Sequence, residues 1–351
     1  MREGKNLVGV DIGTTSIKVC QLKQTRKGYE LCAFGYAPLR PQVIVDGQVM
    51  DATAVIETIQ QIWKDAKIRQ RDVAISVSGQ SAIIRKINVP LMTDAELSEQ
   101  IQWEAEQHIP FDIKDVQVDY QVLRRNPEEG QMEVLLVAAK KEQIEDYARL
   151  ARDAKLRPVV CDIDAFSVQN LFEATRGIDP HARIGLVNVG ASLSSLNVIS
   201  GGISAFSREI ANGGNAVTEE IQRTLNVPFE QAEAYKCGDG RDGMVPSQVL
   251  EVIDGACDAI AAEIQRSLDF FMATSGDSDL TRLYLTGGSA ALSPLAQAIE
   301  SRSRIPVELW IPTQGLVGFK KNIDPIALDR HALQLSVALG LALRKDREVR
   351  A

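Results

Sequence analysis

Residues 8–19, VGVDIGTTSIKV, alternate apolar with small or polar residues on both sides of a short polar turn. This period of two, interrupted by one turn, predicts a β-hairpin. Successive backbone N–H groups in such a turn form a nest that binds anions, and hydroxyl and ammonium groups add donors. The residues expected on a bound phosphate are Gly13, Thr14, Thr15, Ser16 and Lys18. An ordinary hairpin with a Gly-Thr turn fits the same stretch.

A carboxylate, Asp11, precedes this turn and would repel a phosphate. Its expected role is to hold Mg²⁺ through water, because Mg²⁺ keeps several waters and binds proteins through one or two carboxylates. Residues 184–198 repeat the whole pattern, with Asn188 at the position of Asp11 and Gly190 in the turn. Two halves that each open with such a hairpin can face each other and hold one polyphosphate.

The paired hairpins resemble those of the actin-like ATPases, a superfamily that includes sugar kinases and the seventy-kilodalton heat-shock chaperones. The resemblance implies an α/β protein with the actin-like ATPase fold, in which two RNase H-like halves surround a nucleotide cleft, and it implies ATP and Mg²⁺ as ligands. The expected halves are residues 1–177 and 178–332, followed by a C-terminal helix at 333–351 that returns to the first half. A small α/β subdomain, similar to that of FtsA, is expected as an insertion at about 82–160.

Two pairs of residues in the second half are candidate nucleotide contacts. Gly213 and Gly214 precede a predicted helix, where the backbone can approach a phosphate or ribose closely. A flexible helix entry fits these glycines as well. Glu233 and Lys236 lie three residues apart on one helix face. The resemblance implies that they hold ribose and adenine, and an exposed ion pair is the alternative.

A predicted buried strand ends in Gly287, Gly288 and Ser289 before another helix. This end resembles the adenosine motif of the superfamily, in which glycines let the purine lie against the backbone. The chaperones place an arginine over the base two residues after the serine, and here that residue is Ala291. Base stacking by a cation is therefore expected to be absent and nucleotide affinity to be modest.

Hydrolysis is expected to be slow. In relatives the second hairpin supplies an aspartate that helps to hold Mg²⁺ and polarise water, and Asn188 lacks that charge. Asp164, at the start of a predicted helix, stands where actin relatives orient the attacking water, and it is the candidate catalytic residue. Asp164 fits equally well as the N-cap of the same helix.

Composition excludes several function classes. The 351-residue chain has a formal net charge of −8, whereas a nucleic-acid surface needs clustered positive charge. Its five cysteines are widely spaced and contain no Cys-x-x-Cys pair, so a disulfide framework and a zinc site are not expected and a reducing cytoplasm fits. Met1 to Asn6 shows no signal-peptide core, and the longest apolar run, 337–343, is shorter than the roughly 18 residues that span a bilayer.

Three runs of residues, 99–111, 119–123 and 134–141, together with the insertion, are similar to the type IV pilus assembly protein PilM family. This resemblance implies a cytoplasmic ATP-binding protein that binds the N-terminal cytoplasmic tail of the inner-membrane protein PilN. It would join the pilus alignment complex through PilN, and motor ATPases and a PilC-type platform protein are further candidate partners. Residues 341–350 have too few apolar positions for an FtsA-like membrane helix, so association with the inner membrane is expected only through partners.

Two other functions fit the same fold. One is an FtsA-like filament protein of cell division, and the other is a sugar or acid kinase. A kinase needs a catalytic base beside the first hairpin, and Asp164 is the only candidate carboxylate found there besides Asp11.

The partner-binding site is expected on the insertion. A helix at 93–108 should turn one face inward and direct Trp103 away from it, with Ile109 and Phe111 in an apolar corner that follows. The side chains of the expected inward face are Leu97, Ile101, Ala105 and His108. An extended peptide could bind between the insertion and the first half. The alternative is that Trp103 and Phe111 pack against the neighbouring hairpin.

Overall fold

Two β-sheets with the same strand order organise the chain, of which the computed structural model describes residues 4–78, 82–238, 245–275 and 280–346. Up to residue 176 the elements are β1 (Val8–Ile12), β2 (Ser16–Thr25), β3 (Gly28–Pro38), β4 (Ile44–Val45), β5 (Gln48–Val49), α1 (Ala52–Asp65), β6 (Asp72–Val77), β7 (Ala82–Pro90), α2 (Asp94–His108), β8 (Val116–Asn126), β9 (Gln131–Lys140), α3 (Lys141–Asp153), β10 (Arg157–Ile163) and α4 (Asp164–Arg176). The later elements are β11 (Arg183–Val189), β12 (Ser194–Ser200), β13 (Ile203–Ile210), α5 (Gly214–Leu225), α6 (Phe229–Lys236), α7 (Ser247–Ser275), β14 (Arg282–Thr286), α8 (Ser293–Ser303), β15 (Val307–Leu309), β16 (Gly318–Phe319), α9 (Pro325–His331) and α10 (Ser336–Leu341).

The sheets share one topology. The first has the order β10-β6-β1-β2-β3-β16 and the second β13-β12-β11-β14-β15. In each, an antiparallel hairpin strand lies on one side of the first strand and a parallel strand on the other. The hairpin registers match too, since Asp11 lies opposite Lys18 and Asn188 opposite Ser195. The duplication predicted from the two hairpin sequences is confirmed.

The first sheet is covered on both faces, which explains why every residue of β1 is buried. On one face, Val10 packs with side chains of α1 and α3, such as Ile59 and Leu150. On the other face lie α4 and α10, which also reach the second sheet. Here Phe172 of α4 and Leu339 of α10 share one apolar cluster with residues of both sheets. The two halves therefore meet through a common layer of two helices.

Two glycines allow α10 to enter this layer. A Cβ atom on Gly9 of β1 would lie 2.1 Å from the carbonyl oxygen of Ala338, and one on Gly340 would lie 1.9 Å from the carbonyl oxygen of Ser167 in α4. Real Cβ atoms do not approach backbone this closely. The C-terminal helix α10 thus packs directly against the backbone of the first half, as expected for a helix that returns to that half. It is shorter than the predicted helix, because residues 332–335 form a 3₁₀ turn before α10 and residues 347–351 lie outside the described ranges.

The insertion is smaller than predicted. A three-stranded sheet, β7-β9-β8, and helix α2 enclose a core of their own. However, α3 packs against α1 through Tyr147 and Leu150, and β10 pairs in parallel with β6 of the main sheet. The insertion therefore comprises Ala82–Lys140, whereas the expected segment 82–160 also included α3 and most of β10. The local pattern of β10 does not reveal which sheet it will join.

Helix α2 begins as the sequence predicts, but its last residue does not lie on the predicted inward face. The side chain of Thr93 accepts a hydrogen bond from the backbone N–H of Glu96, and Glu96 accepts one from the N–H of Thr93, forming the predicted capping box. Leu97, Ile101 and Ala105 are buried as expected. His108 is exposed, because the helix ends there and the core residue that follows is Ile109. Within the described ranges, no helix is both long and apolar enough to cross a bilayer.

Replacing Gly340 by Ala should lower the free energy of unfolding by about 1–3 kcal/mol, the usual range for an overpacked core. The added methyl group would occupy the place of Ser167 backbone atoms, so α10 must move away from α4. Urea unfolding followed by circular dichroism measures the effect.

The matched control is Gly255→Ala in α7, where nothing lies within 4 Å of the added Cβ. This variant should gain roughly 0.5–1 kcal/mol, because Ala suits a helix interior better than Gly. Equal unfolding midpoints for Gly340→Ala and the native chain would contradict the tight packing of α10.

Candidate functional site

A cleft of about 750 Å³ lies between the halves, with both hairpin turns on its wall. Most of the residues predicted from the sequence line it. They are Asp11, Gly13, Thr14, Thr15, Ser16, Lys18, Asp164, Asn188, Gly190, Glu233, Lys236, Gly287, Gly288 and Ser289. The structure thus brings together residues that lie far apart along the chain. Gly213 and Gly214 are absent from this lining.

The first hairpin turn places a cation beside a carboxylate. Lys18 Nζ lies 3.2 Å from Asp11 Oδ2, and each side chain is mostly buried. Their pairing follows from the hairpin register, which puts the two residues directly opposite. Gly13 closes the turn, with its N–H 3.1 Å from the carbonyl oxygen of Ser16. A Cβ on Gly13 would lie 2.8 Å from Lys18 Nζ, so glycine leaves room for the ammonium group.

The second hairpin turn is supported from behind by the start of α5. The carbonyl oxygen of Gly190 accepts hydrogen bonds from Gly214 N, at 3.0 Å, and from Ser289 Oγ, at 2.8 Å. A Cβ on Gly213 would lie 2.7 Å from the same oxygen, and one on Gly214 would lie 2.2 Å from Ser289 Oγ. These two glycines thus lie behind the second turn, and their contact with a ligand stays a prediction. Their missing side chains allow α5 to pack against the turn.

The end of β14 approaches the second hairpin equally closely. Gly287 has a φ of +96°, which L side chains rarely adopt, and a Cβ there would lie 2.4 Å from the carbonyl oxygen of Val189. The same Cβ would lie 2.6 Å from Asn188 Oδ1. Glycine is thus required at position 287, where the end of β14 packs against the second hairpin.

Glu233 and Lys236 form part of a partly buried polar network. Lys236 Nζ lies 2.6 Å from Glu233 Oε2 and donates hydrogen bonds to Thr218 Oγ1, at 2.9 Å, and to the carbonyl oxygen of Gly214, at 3.2 Å. Only 10% of the Lys236 side chain is exposed. These contacts tie α6 to α5 at the edge of the cleft, while the Glu233 side chain is 39% exposed. The ion pair is thus partly exposed, and its contact with ribose and adenine stays a prediction.

Asp164 faces the first hairpin from the first position of α4. The residue before it, Ile163, occupies the N-cap and provides no side-chain hydrogen bond, so Asp164 is not the N-cap. Burial, and then the nearby charge of Asp11, raise the pKa of Asp164 to about 7, although hydroxyl groups of Ser76 and Ser78 donate to its carboxylate. Two carboxylates of the same charge thus face one part of the cleft.

The cleft also contains residues that the sequence did not reveal. The rings of Tyr36 and His331 stack with centroids 3.8 Å apart and planes 16° from parallel, next to Arg330. Burial and the charges of Arg330 and Lys18 lower the pKa of His331. Tyr36 lies opposite Lys18 in the sheet, so the strand register could have indicated that Tyr36 lines the cleft. Nothing local marks His331, because its position depends on where α9 packs.

The expected partner residues separate into exposed and packed side chains. Trp103 is 62% exposed, as predicted for the outward face of α2. Ile109 is buried in the core of the insertion, and Phe111 packs partly against that core with Lys140 Nζ 4.7 Å from its ring centroid. Trp103 is therefore the accessible apolar group of the three. The alternative of packing holds for Phe111 and fails for Trp103.

Comparisons with known proteins agree with this architecture. The cell division protein FtsA of Pseudomonas aeruginosa is 22% identical over 375 residues, which covers 92% of this chain and 87% of FtsA. MreB5 of Spiroplasma citri bound to AMPPNP has a TM-score of 0.53 at 13% identity, covering 97% of this chain and 95% of that chain. At such identity the similarity to MreB5 concerns the fold alone. Together with the paired sheets and cleft, these relatives identify the actin-like ATPase fold.

A more specific match comes from the pilus machinery. A chain of the solved PilM–PilN type IV pilus biogenesis complex has a TM-score of 0.85 and 29% identity, covering 97% of this chain and 98% of that chain. The family model of the type IV pilus assembly protein PilM matches residues 9–346. Because that model spans nearly the whole sequence, the chain belongs to the type IV pilus assembly protein PilM family, within the actin-like ATPases.

Proposed function

We propose that this chain is an ATP-binding protein on the cytoplasmic side of the type IV pilus machinery, where it binds the N-terminal tail of the inner-membrane protein PilN. Through PilN it connects the alignment complex to the motor, with motor ATPases and a PilC-type platform protein as further contacts. The observation that carries this proposal is the cleft of a PilM-family chain in which two matching hairpin turns face each other. Such a cleft supports control of the angle between the halves by a bound ligand.

The cleft suits a nucleotide at both of its ends. At one end, the backbone and hydroxyl groups of residues 13–16 and the ammonium group of Lys18 provide donors for phosphates. At the other end, Gly287, Gly288 and Lys236 line the cleft. MreB5, which shares the fold, was solved with a nucleotide analogue. We therefore assign the phosphates to the first hairpin and the adenosine to the end of β14.

The charges near the first hairpin suit Mg²⁺. The pKa of Asp164 is raised in part by Asp11, and a divalent cation would relieve that repulsion. No group of three or more His, Cys, Asp or Glu side chains suited to a metal occurs in the described part of the chain. This fits an ion held by phosphates, water and one or two carboxylates. When bound, Mg²⁺ would neutralise charge on the phosphates, and Asp164 would orient a water.

Replacing Lys18 by Ala should weaken ATP binding roughly tenfold to a hundredfold, because a hydrogen bond to a charged group contributes about 1.5–3 kcal/mol. Thr14→Val, which keeps the shape and removes one hydroxyl, should have a smaller effect. Titration calorimetry with Mg²⁺ present measures both. Lys23→Ala is the matched control, since Lys23 is exposed on the same strand and does not line the cleft. Unchanged affinity for Lys18→Ala would remove Lys18 from the site.

We expect ATP turnover far below 10 s⁻¹, a typical enzyme median. The neutral amide of Asn188 cannot help to hold Mg²⁺ or polarise water as a carboxylate does. Asn188→Asp should raise the rate about tenfold, which corresponds to about 1.4 kcal/mol of barrier. Phosphate release measured with saturating ATP checks this. The exposed residue Asn226 offers the same chemical change outside the cleft, and Asn226→Asp should leave the rate unchanged.

The proposed PilN site is the surface around Trp103 on the insertion. The PilM–PilN complex, at 29% identity over nearly the whole chain, supports PilN as the partner. An exposed tryptophan is a frequent anchor of protein interfaces. Binding to the PilN tail would bring the chain to the inner membrane.

Trp103→Ala should weaken binding of a fluorescent PilN tail peptide about tenfold or more, measured by anisotropy with and without ATP. Leu250→Ala is the matched control, because Leu250 is also largely exposed but lies on α7 of the second half. Equal affinity for both variants would move the PilN site away from α2. Failure of any PilN tail peptide to bind the native chain would overturn the proposed function.

A further inference from the structure

Two helices of the first half end in the same way. The sequence DAKIR at 65–69 closes α1 and DAKLR at 153–157 closes α3. In α1 the N–H of Ile68 donates to the carbonyl oxygen of Trp63 at 3.1 Å, and in α3 the N–H of Leu156 donates to that of Ala151 at 2.9 Å. Both ends are therefore Schellman motifs. The residue before the closing hydrophobic one is lysine each time.

Lysine is an unusual residue at these two positions. Lys67 and Lys155 have φ values of +53° and +67°, in the left-handed region where helices normally place glycine. A side chain there is sterically unfavourable, so neither helix end gains backbone stability from lysine. Both side chains are exposed. Their charge is thus the property that glycine could not supply.

These lysines belong to a basic cleft of about 510 Å³, defined by Lys64, Lys67, Arg69, Arg71 and Lys155. None of the side chains that line it is acidic. Among the described residues, none of these five forms an ion pair. Of the acidic groups nearby, Asp65 accepts two hydrogen bonds from Gln61, and Asp72 pairs with Arg157.

The floor of the basic cleft offers no apolar anchor point. Trp63, Ile68 and Ala154 line it, but they are 3%, 5% and 2% exposed. A peptide ligand usually gains its affinity from a few side chains buried in pockets. The basic cleft instead presents exposed cationic groups on flexible side chains, and the apolar residues beneath them are buried. This arrangement suits a ligand that is recognised by negative charge alone.

The basic cleft lies at the edge of the first sheet opposite the nucleotide cleft. It adjoins the starts of the parallel strands β6 and β10, whereas Ser76 and Asp164, at the ends of those strands, face the nucleotide cleft. The two ends of the described chain meet at this same edge, where Lys5 N donates to Asp346 Oδ1 at 3.0 Å. A ligand here would leave the nucleotide cleft open.

We infer that the basic cleft binds the headgroups of anionic phospholipids, so that this edge of the first half faces the membrane. The inference rests on the proposed function in one respect, because PilN is what brings the chain close to a bilayer. A chain with a net charge of −8 is repelled by an anionic surface unless it turns a basic face toward it. Five cations at one edge, none of which pairs with an acidic group in the described part of the chain, provide that face.

The test is sedimentation of the full chain, without PilN, with vesicles of phosphatidylcholine alone or mixed with phosphatidylglycerol. Binding to the mixed vesicles only, and its loss at 1 M salt, where the Debye length is about 3 Å, is the expected result. The double variant Lys67→Gly with Lys155→Gly should bind roughly 25-fold more weakly, since each basic residue near an anionic surface contributes roughly fivefold. Glycine suits both backbone positions, so the variant should keep its fold.

The matched control is Arg304→Gly, which removes a cation from a left-handed residue at the end of α8 in the second half. It should bind vesicles as the native chain does. Equal binding of the native chain and the double variant, or equal binding to both vesicle types, would overturn the inference. The inference would also be overturned if the native chain bound polyglutamate through the same two lysines but did not bind vesicles. PilN tail affinity measured on the same proteins separates these outcomes from failure of the proposed function.

Discussion

The contact of α10 with the backbone of β1 and α4 is the constraint on which the arrangement of the two halves depends. Gly9 and Gly340 remove the side chains that would hold these elements apart. The layer of α4 and α10 can then be thin enough for both sheets to share one apolar cluster. Because both hairpins end at the same side of this layer, their turns face each other across a cleft instead of pointing in different directions.

Within the cleft, charge is distributed unequally between the halves. The first hairpin contributes Asp11 and Lys18, and Asp164 stands beside them with a raised pKa. The second hairpin has the uncharged residues Asn188 and Ser195 at the corresponding positions. The two hairpins therefore share one strand register, whereas only the first has charged side chains at this pair of positions.

The features that could be predicted from the sequence are those with local causes. The two hairpins follow from alternating residues and turn composition, and the start of α2 follows from its capping box. The extent of the insertion could not be predicted, because the partner of β10 is a strand remote in sequence. The close packing of Gly213 and Gly214 against the second hairpin turn could not be predicted for a similar reason.

A glycine before a helix indicates close approach, yet the sequence does not say whether a ligand or a carbonyl group, here that of Gly190, comes close. The stacking of Tyr36 on His331 in the cleft likewise could not be predicted from the sequence. Each residue is ordinary in its own segment, and only the packing of α9 brings the two rings together. Contacts between segments that are remote along the chain therefore determine which side chains meet in this cleft.

The path of the chain has a consequence for biosynthesis. Strand β1 precedes every strand of the second sheet, but its packing partner α10 and the edge strand β16 follow all of them. The first half therefore lacks part of its core on the ribosome until α10 has emerged, whereas the sheet of the second half is complete with β15. The usual order, in which the N-terminal domain folds first during synthesis, is thus reversed here, because the second sheet can form before α10 completes the core of the first half.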